Sequence, residues 1–195
     1  YDQSILCQEC DGKIGIFDQY AKEFLINKVP NHKLETKPCY EIPQKDINYS
    51  KLKKFFISLI WRASISNGGS VNIVSLGDYY SELALSYLKG DCELQDNMFA
   101  ILIFKDSPNL KHHEAITFVK IRLARKIAYA IHFSGYQITI IPNAVDMIWD
   151  KGNNSPIELF FKRDNDLIIL ESDVDISGKD IMINALQNKL QKQKN

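Results

Sequence analysis

IAYAIHFSGYQITIIP, residues 127 to 142, decides the fold. It holds two β-branched and aromatic-rich runs, 127 to 133 and 136 to 142, with a short turn between them. Such runs fit a pleated, half-buried surface and read as paired strands. Working outward, MFAILIF (98 to 104) and AITFVKIRLA (115 to 124) have the same character. IELFFKRDNDLIIL (157 to 170) reads as a hairpin around Asp164-Asn165-Asp166. The second half is therefore expected to be an antiparallel β-meander, closed by a C-terminal helix from about Ser177 that frays in QNKLQKQKN.

Towards the N-terminus the period changes. DINYSKLKKFFISLIWRASISNGG (46 to 69) carries Leu52, Phe55, Phe56, Leu59, Ile60 and Ala63 on one stripe, widened by Ile57 and Trp61. That is the pattern of a largely buried helix. Asp46, Asn48 and Ser50 are its candidate N-caps, and Asn67-Gly68-Gly69 ends it. A further helix is predicted over 78–89, with Asp78 in the cap role and Gly90 as the stop. Another is predicted over Lys13 to about Asn27, where Ile14, Phe17, Tyr20, Ala21, Phe24 and Leu25 recur at spacings of three and four. Residues 28 to 45 contain three of the six prolines and read as an irregular connector, with room for one short strand. The predicted class is α+β. The predicted division is an N-terminal segment, 1–45, and an α+β companion domain, 46–195.

Composition narrows the function classes. Lys plus Arg and Asp plus Glu each number 24 in the 195 residues, so the chain is not the strongly basic type that coats nucleic acid. A local basic face remains compatible with that balance. No apolar run approaches the roughly 18 residues of a membrane span, and no basic, apolar and small-residue leader pattern opens the sequence. Four cysteines in a chain of this length do not make a disulfide scaffold, so a reducing cytoplasm is the expected location.

Cys7 and Cys10 form a C-x-x-C pair at the start of the first helix. Two thiolates at this spacing can grip one side of a zinc ion, and four-coordinate structural zinc needs two further ligands. The first turn of a helix suits them, because its free N–H groups and dipole offset negative charge. Cys39 and Cys92 are isolated and read as small buried hydrophobes; His32 with Cys39 is one way to complete the site. Thioredoxin-like redox chemistry uses the same pair but needs a preceding strand inside a βαβ unit, for which YDQSIL is too short.

DQSILCQECDGKIG, residues 2 to 15, resembles the last part of the HNH nuclease motif, the treble-clef or ββα-metal arrangement. WRAS, residues 61 to 64, adds a looser likeness to uncharacterised bacterial HNH-like proteins. The resemblance implies a structural zinc ion held by Cys7 and Cys10, with the remaining ligands expected ahead of Tyr1. It implies a catalytic Mg²⁺ or Mn²⁺, with Asp11 at the family's last histidine position and Asp2 at its middle asparagine position. Both aspartates depart from the family pattern, although Asp11 can still ligate a hard ion through oxygen. The water-activating histidine of such nucleases has no counterpart among these residues. A place in defence against phage follows from the same likeness.

Other residues have plainer readings. His112 and His113 fall in a charged loop, and His132 lies in a strand-like run where a satisfied sheet histidine is the default. Lys120 and Arg122 alternate with Val119, Ile121 and Leu123, and Arg125 and Lys126 follow at a turn. That strand face is a candidate phosphate-backbone contact, though a solvated face is the commoner outcome. Arg62, in an otherwise apolar helix, is expected to find a carboxylate in the sheet half. Two functional expectations result. One is a metal-dependent nucleic-acid endonuclease of HNH type, or a subunit containing such a module. The other is a catalytically inactive, zinc-stabilised binding or scaffold protein. Nucleic acid, a protein partner or a second copy of the chain are the expected partners, with no membrane.

Overall fold

The computed structural model describes residues 6–66, 73–107, 116–123, 125–145, 161, 163 and 165–172. Helix α1 (Gln8–Lys22) runs on through a π-helical segment (Glu23–Lys28) and a 3₁₀ turn (Val29–His32). Strand β1 (Cys39–Ile42) follows, then a 3₁₀ turn (Gln44–Asp46), α2 (Tyr49–Ile65) and α3 (Gly77–Lys89). Strands β2 (Met98–Asp106), β3 (Thr117–Leu123), β4 (Lys126–Phe133), β5 (Tyr136–Asn143) and β6 (Leu167–Ser172) complete the order.

The α+β class holds, with helices on one face of a six-stranded sheet of order β1-β6-β2-β5-β4-β3. Strands β3, β4 and β5 pair antiparallel with their sequence neighbours. The sheet as a whole is more than a meander. Strand β2 pairs antiparallel with β5, so β2 to β5 make a Greek key whose long connection crosses from β2 to the outer strand β3. Strand β6 lies parallel to β2 and antiparallel to β1, which makes the sheet mixed. Leu167–Ser172, at the end of the 157–170 stretch, is paired with β1 and β2; most of the first arm of the expected hairpin lies outside the described residues. The predicted C-terminal helix also lies outside them.

Period-two alternation sorts the strands between two faces. Ile101 and Ile103 of β2, Tyr129 and Ile131 of β4, Ile138 and Ile140 of β5, and Ile169 of β6 join one cluster with the helices. Ala100, Leu102 and Phe104, Ala128 and Ala130, Ile141, and Leu170 point the other way. The helix side of the first cluster includes Ile14, Ala21, Phe24 and Leu25 together with Leu52, Phe55, Phe56, Ile57, Ile60 and Trp61. Residues on both sides of position 45 thus share one core. The Tyr136 hydroxyl fastens the layers by donating to the Leu25 carbonyl, and the Tyr129 hydroxyl does so at Ser75.

Local chemistry explains the helix ends. Asn48 caps α2, its Oδ1 accepting from the Lys51 N–H at 3.0 Å. Helix α3 starts one residue before the expected cap: Asp78 lies within its first turn, and Leu76 precedes it with no side-chain cap. Gly90 ends α3 in the left-handed region, φ +88°, which a residue with a Cβ adopts only at a cost. Among the described residues no helix is long and apolar enough to cross a membrane.

Candidate functional site

The cysteine pair opens helix α1. Cys7 is extended (ψ 160°) and is the N-cap of α1; its Sγ accepts from the Cys10 N–H at 3.4 Å. The Asp11 N–H donates to the Cys7 carbonyl at 2.9 Å, closing the first helical bond. The thiol thus fills the place that a serine or aspartate oxygen usually takes. The Cys10 backbone N–H draws the Cys7 pKa down, while hydrogen bonding and charge from Cys7 push Cys10 up. A helix N-terminus favours a thiolate at this place. Cys7, Cys10 and Asp11 are all exposed.

The expected companions do not gather there. Asp2 lies outside the described residues. Cys39 is buried in the strand cluster on the sheet face away from the helices, and burial raises its pKa. Among the described residues no three His, Cys, Asp or Glu side chains converge on a point that could hold a metal. Completion of the site by His32 and Cys39 is therefore not what this fold builds: β1 commits Cys39 to packing. Two thiolates would fill half of the coordination shell of a zinc ion.

The basic strand is placed differently from the cysteines. Strand β3 is an outer strand of the sheet, and Lys120 and Arg122 are exposed on it, opposite Tyr129 and Ile127 of β4. Arg125 occupies the β3–β4 turn with φ +66°, and Lys126 opens β4. Charges on an outer strand discourage edge-to-edge pairing with another sheet. His112 and His113 lie outside the described residues, and His132 is buried in β4, as a sheet histidine.

The carboxylate of Arg62 comes from α1, a correction to the expected partner in the sheet half. The guanidinium donates to Asp18 Oδ1 at 3.0 Å and Oδ2 at 3.2 Å, and to the Ser58 carbonyl and Oγ at 3.2 Å. Packing of α1 across α2 brings Asp18 within reach before any strand residue, and the bidentate pair staples the two helices.

A second polar concentration, absent from the sequence reading, lies at the start of α2. Lys53 is 1% exposed within the apolar stripe. Its Nζ donates to the Tyr49 hydroxyl at 3.0 Å and the Gln95 carbonyl at 3.4 Å. The Tyr49 hydroxyl donates in turn to Asp96 Oδ1 at 3.2 Å. Burial pulls the Lys53 ammonium down to about 8, against the attraction of Asp96 and Glu93. Burial also pushes the Tyr49 phenol well above its usual range, with Asp96 adding to the effect. Tyr49 lines a cavity of about 490 Å³ shared with Tyr20, Lys28, Lys45, Asp96 and Arg163. The only sequence signal for this cluster is a lysine at a position where the helical period demands an apolar side chain.

The chain matches no known family model, no curated protein and no solved structure.

Proposed function

We propose that this chain carries half of a structural zinc site in an HNH-like module that acts on nucleic acid with Mg²⁺ or Mn²⁺. The observation that supports it is the turn at the start of α1. Two exposed thiols are separated by two intervening residues, one accepting from the backbone N–H of the other, and Cys7 is biased towards thiolate. Asp11 follows immediately on the same exposed turn and is the in-chain candidate for the catalytic ion. When bound, zinc would tie the α1 N-terminus to whatever supplies its other ligands, and a hard divalent ion would stabilise the leaving oxygen of a cleaved phosphodiester. Lys120, Arg122, Arg125 and Lys126 are the residues proposed to meet the phosphate backbone.

The aspartates at the family's asparagine and histidine positions favour a second reading, a zinc-stabilised binding protein without cleavage activity. Elemental analysis and a cleavage assay separate the two. Zinc that is lost in both Cys7→Ser and Cys10→Ser supports the half site. Metal-dependent cleavage of DNA or RNA that disappears in Asp11→Ala supports the nuclease reading. Zinc-loaded protein that cleaves neither substrate with Mg²⁺ or Mn²⁺ supports the binding protein. Zinc content unchanged in both cysteine variants would refute the site itself.

A further inference from the structure

We infer that the cavity at the start of α2 is a binding site for a small phosphate-bearing molecule. Its volume, about 490 Å³, is that of a metabolite site and far larger than a bare ion needs. Cations reach its wall from three separate segments: Lys28 at the end of the π-helical stretch, Lys45 in the 3₁₀ turn, and Arg163. Among the described residues Lys28 and Lys45 have no carboxylate partner, and Arg163 stands a loose 3.9 Å from Glu93. Tyr49 and Ser50, the first residues of α2, complete this side, where backbone N–H groups lie ahead of the helical ladder and favour an anion.

The carboxylates of the same wall decide against a metal ion. Asp96 is engaged by the Tyr49 hydroxyl, Glu93 faces Arg163, and Asp46 belongs to the turn before α2. These three do not converge, since no group of acidic, histidine or cysteine side chains among the described residues could hold a cation. Beneath the wall, Lys53 adds a positive charge in a position that water does not reach, and its bond to the phenol fixes Tyr49. A stacked aromatic ligand is not required by the walls: Tyr49 already stacks on Phe161, and Tyr20 stacks on Phe24 with Lys51 over its ring. The phosphate is thus the recognised group, and the remaining volume accommodates a polar body such as a sugar.

Ribose 5-phosphate and ribose, titrated at low salt while the backbone amides of Lys45, Tyr49 and Ser50 are followed by NMR, test this. The expected result is saturable shifts with ribose 5-phosphate and none with ribose. Lys45→Glu, which replaces an exposed residue, is expected to weaken binding by at least about tenfold, in keeping with the loss of one charge-assisted contact. Its thermal midpoint is expected to be unchanged. Arg163→Glu provides the same comparison from another segment. Absence of saturable shifts with ribose 5-phosphate would overturn the inference. So would equal binding of ribose, or undiminished affinity in both charge-reversed variants.

Discussion

Replacing Lys53 by methionine should flatten the pH dependence of stability on the alkaline side of neutrality. The buried ammonium has its pKa lowered from 10.5 to about 8 by desolvation, at 1% exposure. Between those values the unfolded chain binds a proton that the folded chain has released, so stability rises as pH rises through this window. Near neutral pH the group is charged in both states and holds the fold about 3 kcal/mol below its potential. Working through the linkage, wild-type stability should gain about 2 kcal/mol from this group between about pH 7 and 9.5. Methionine keeps the unbranched shape of the side chain, one heavy atom shorter, and removes the titration. Loss of the bonds to Tyr49 and the Gln95 carbonyl shifts the variant's stability at every pH, so the slope is the informative quantity, not the offset. Tyr40 and Tyr87, both raised to about 12 chiefly by burial, lower stability only above the ordinary tyrosine value, and they do so in both proteins. Urea denaturation followed by tryptophan fluorescence at several pH values gives both curves. Parallel curves would show that Lys53 is solvated or paired as a charge, and the desolvation reasoning would fail.

Three other substitutions probe the frame. Phe56→Ala, at a fully buried position in the helix–sheet core, should cost about 3–5 kcal/mol in urea denaturation; a cost under about 1 kcal/mol would mean the core closes over the gap. Asp18→Ala leaves the Arg62 guanidinium, whose side chain is 15% exposed, with only Ser58, and should cost about 2 kcal/mol. An unchanged midpoint would show that solvent replaces Asp18 freely. Gly90→Ala should lose about 1 kcal/mol through backbone strain at φ +88°, because the nearest atom to an added Cβ is Lys54 Nζ at 3.9 Å. A neutral or stabilising result would place the helix stop elsewhere.

Elements set by a local period are the ones most legible in the sequence. The α2 stripe from Leu52 to Ala63, the Asn48 cap and the Gly90 stop are all present, because each depends on neighbours within one or two turns. Sheet order was not readable in the same way. Leu167–Ser172 has the composition of a strand, but nothing in those six residues names Cys39–Ile42 and β2 as its neighbours. Arg62 shows the same limit: its need for a carboxylate is local, while the choice of Asp18 depends on how α1 crosses α2. For the candidate sites, Cys7 and Cys10 are visible as a spacing, whereas the cavity is made by side chains from separate segments meeting Tyr49. Lys53 was the one available hint, an interruption in an apolar stripe that a reading by period passes over.

The position of β6 has a consequence for the order in which the molecule can be built. Strand β1 finds its partner in residues 167–170, so Cys39 waits for Leu170 to leave the ribosome before it can pair. Until then the β1 edge that meets β6 and one edge of β2 have no strand to join, while the Greek key of β2 to β5 already has every strand it needs. Closing so long a loop is entropically costly and slow relative to the local pairings. The sheet should therefore grow from the Greek key outward, with β6 arriving as the wedge that admits β1. A nascent chain stalled before residue 167 would display two open strand edges at once, the state in which such a protein is most exposed to aggregation.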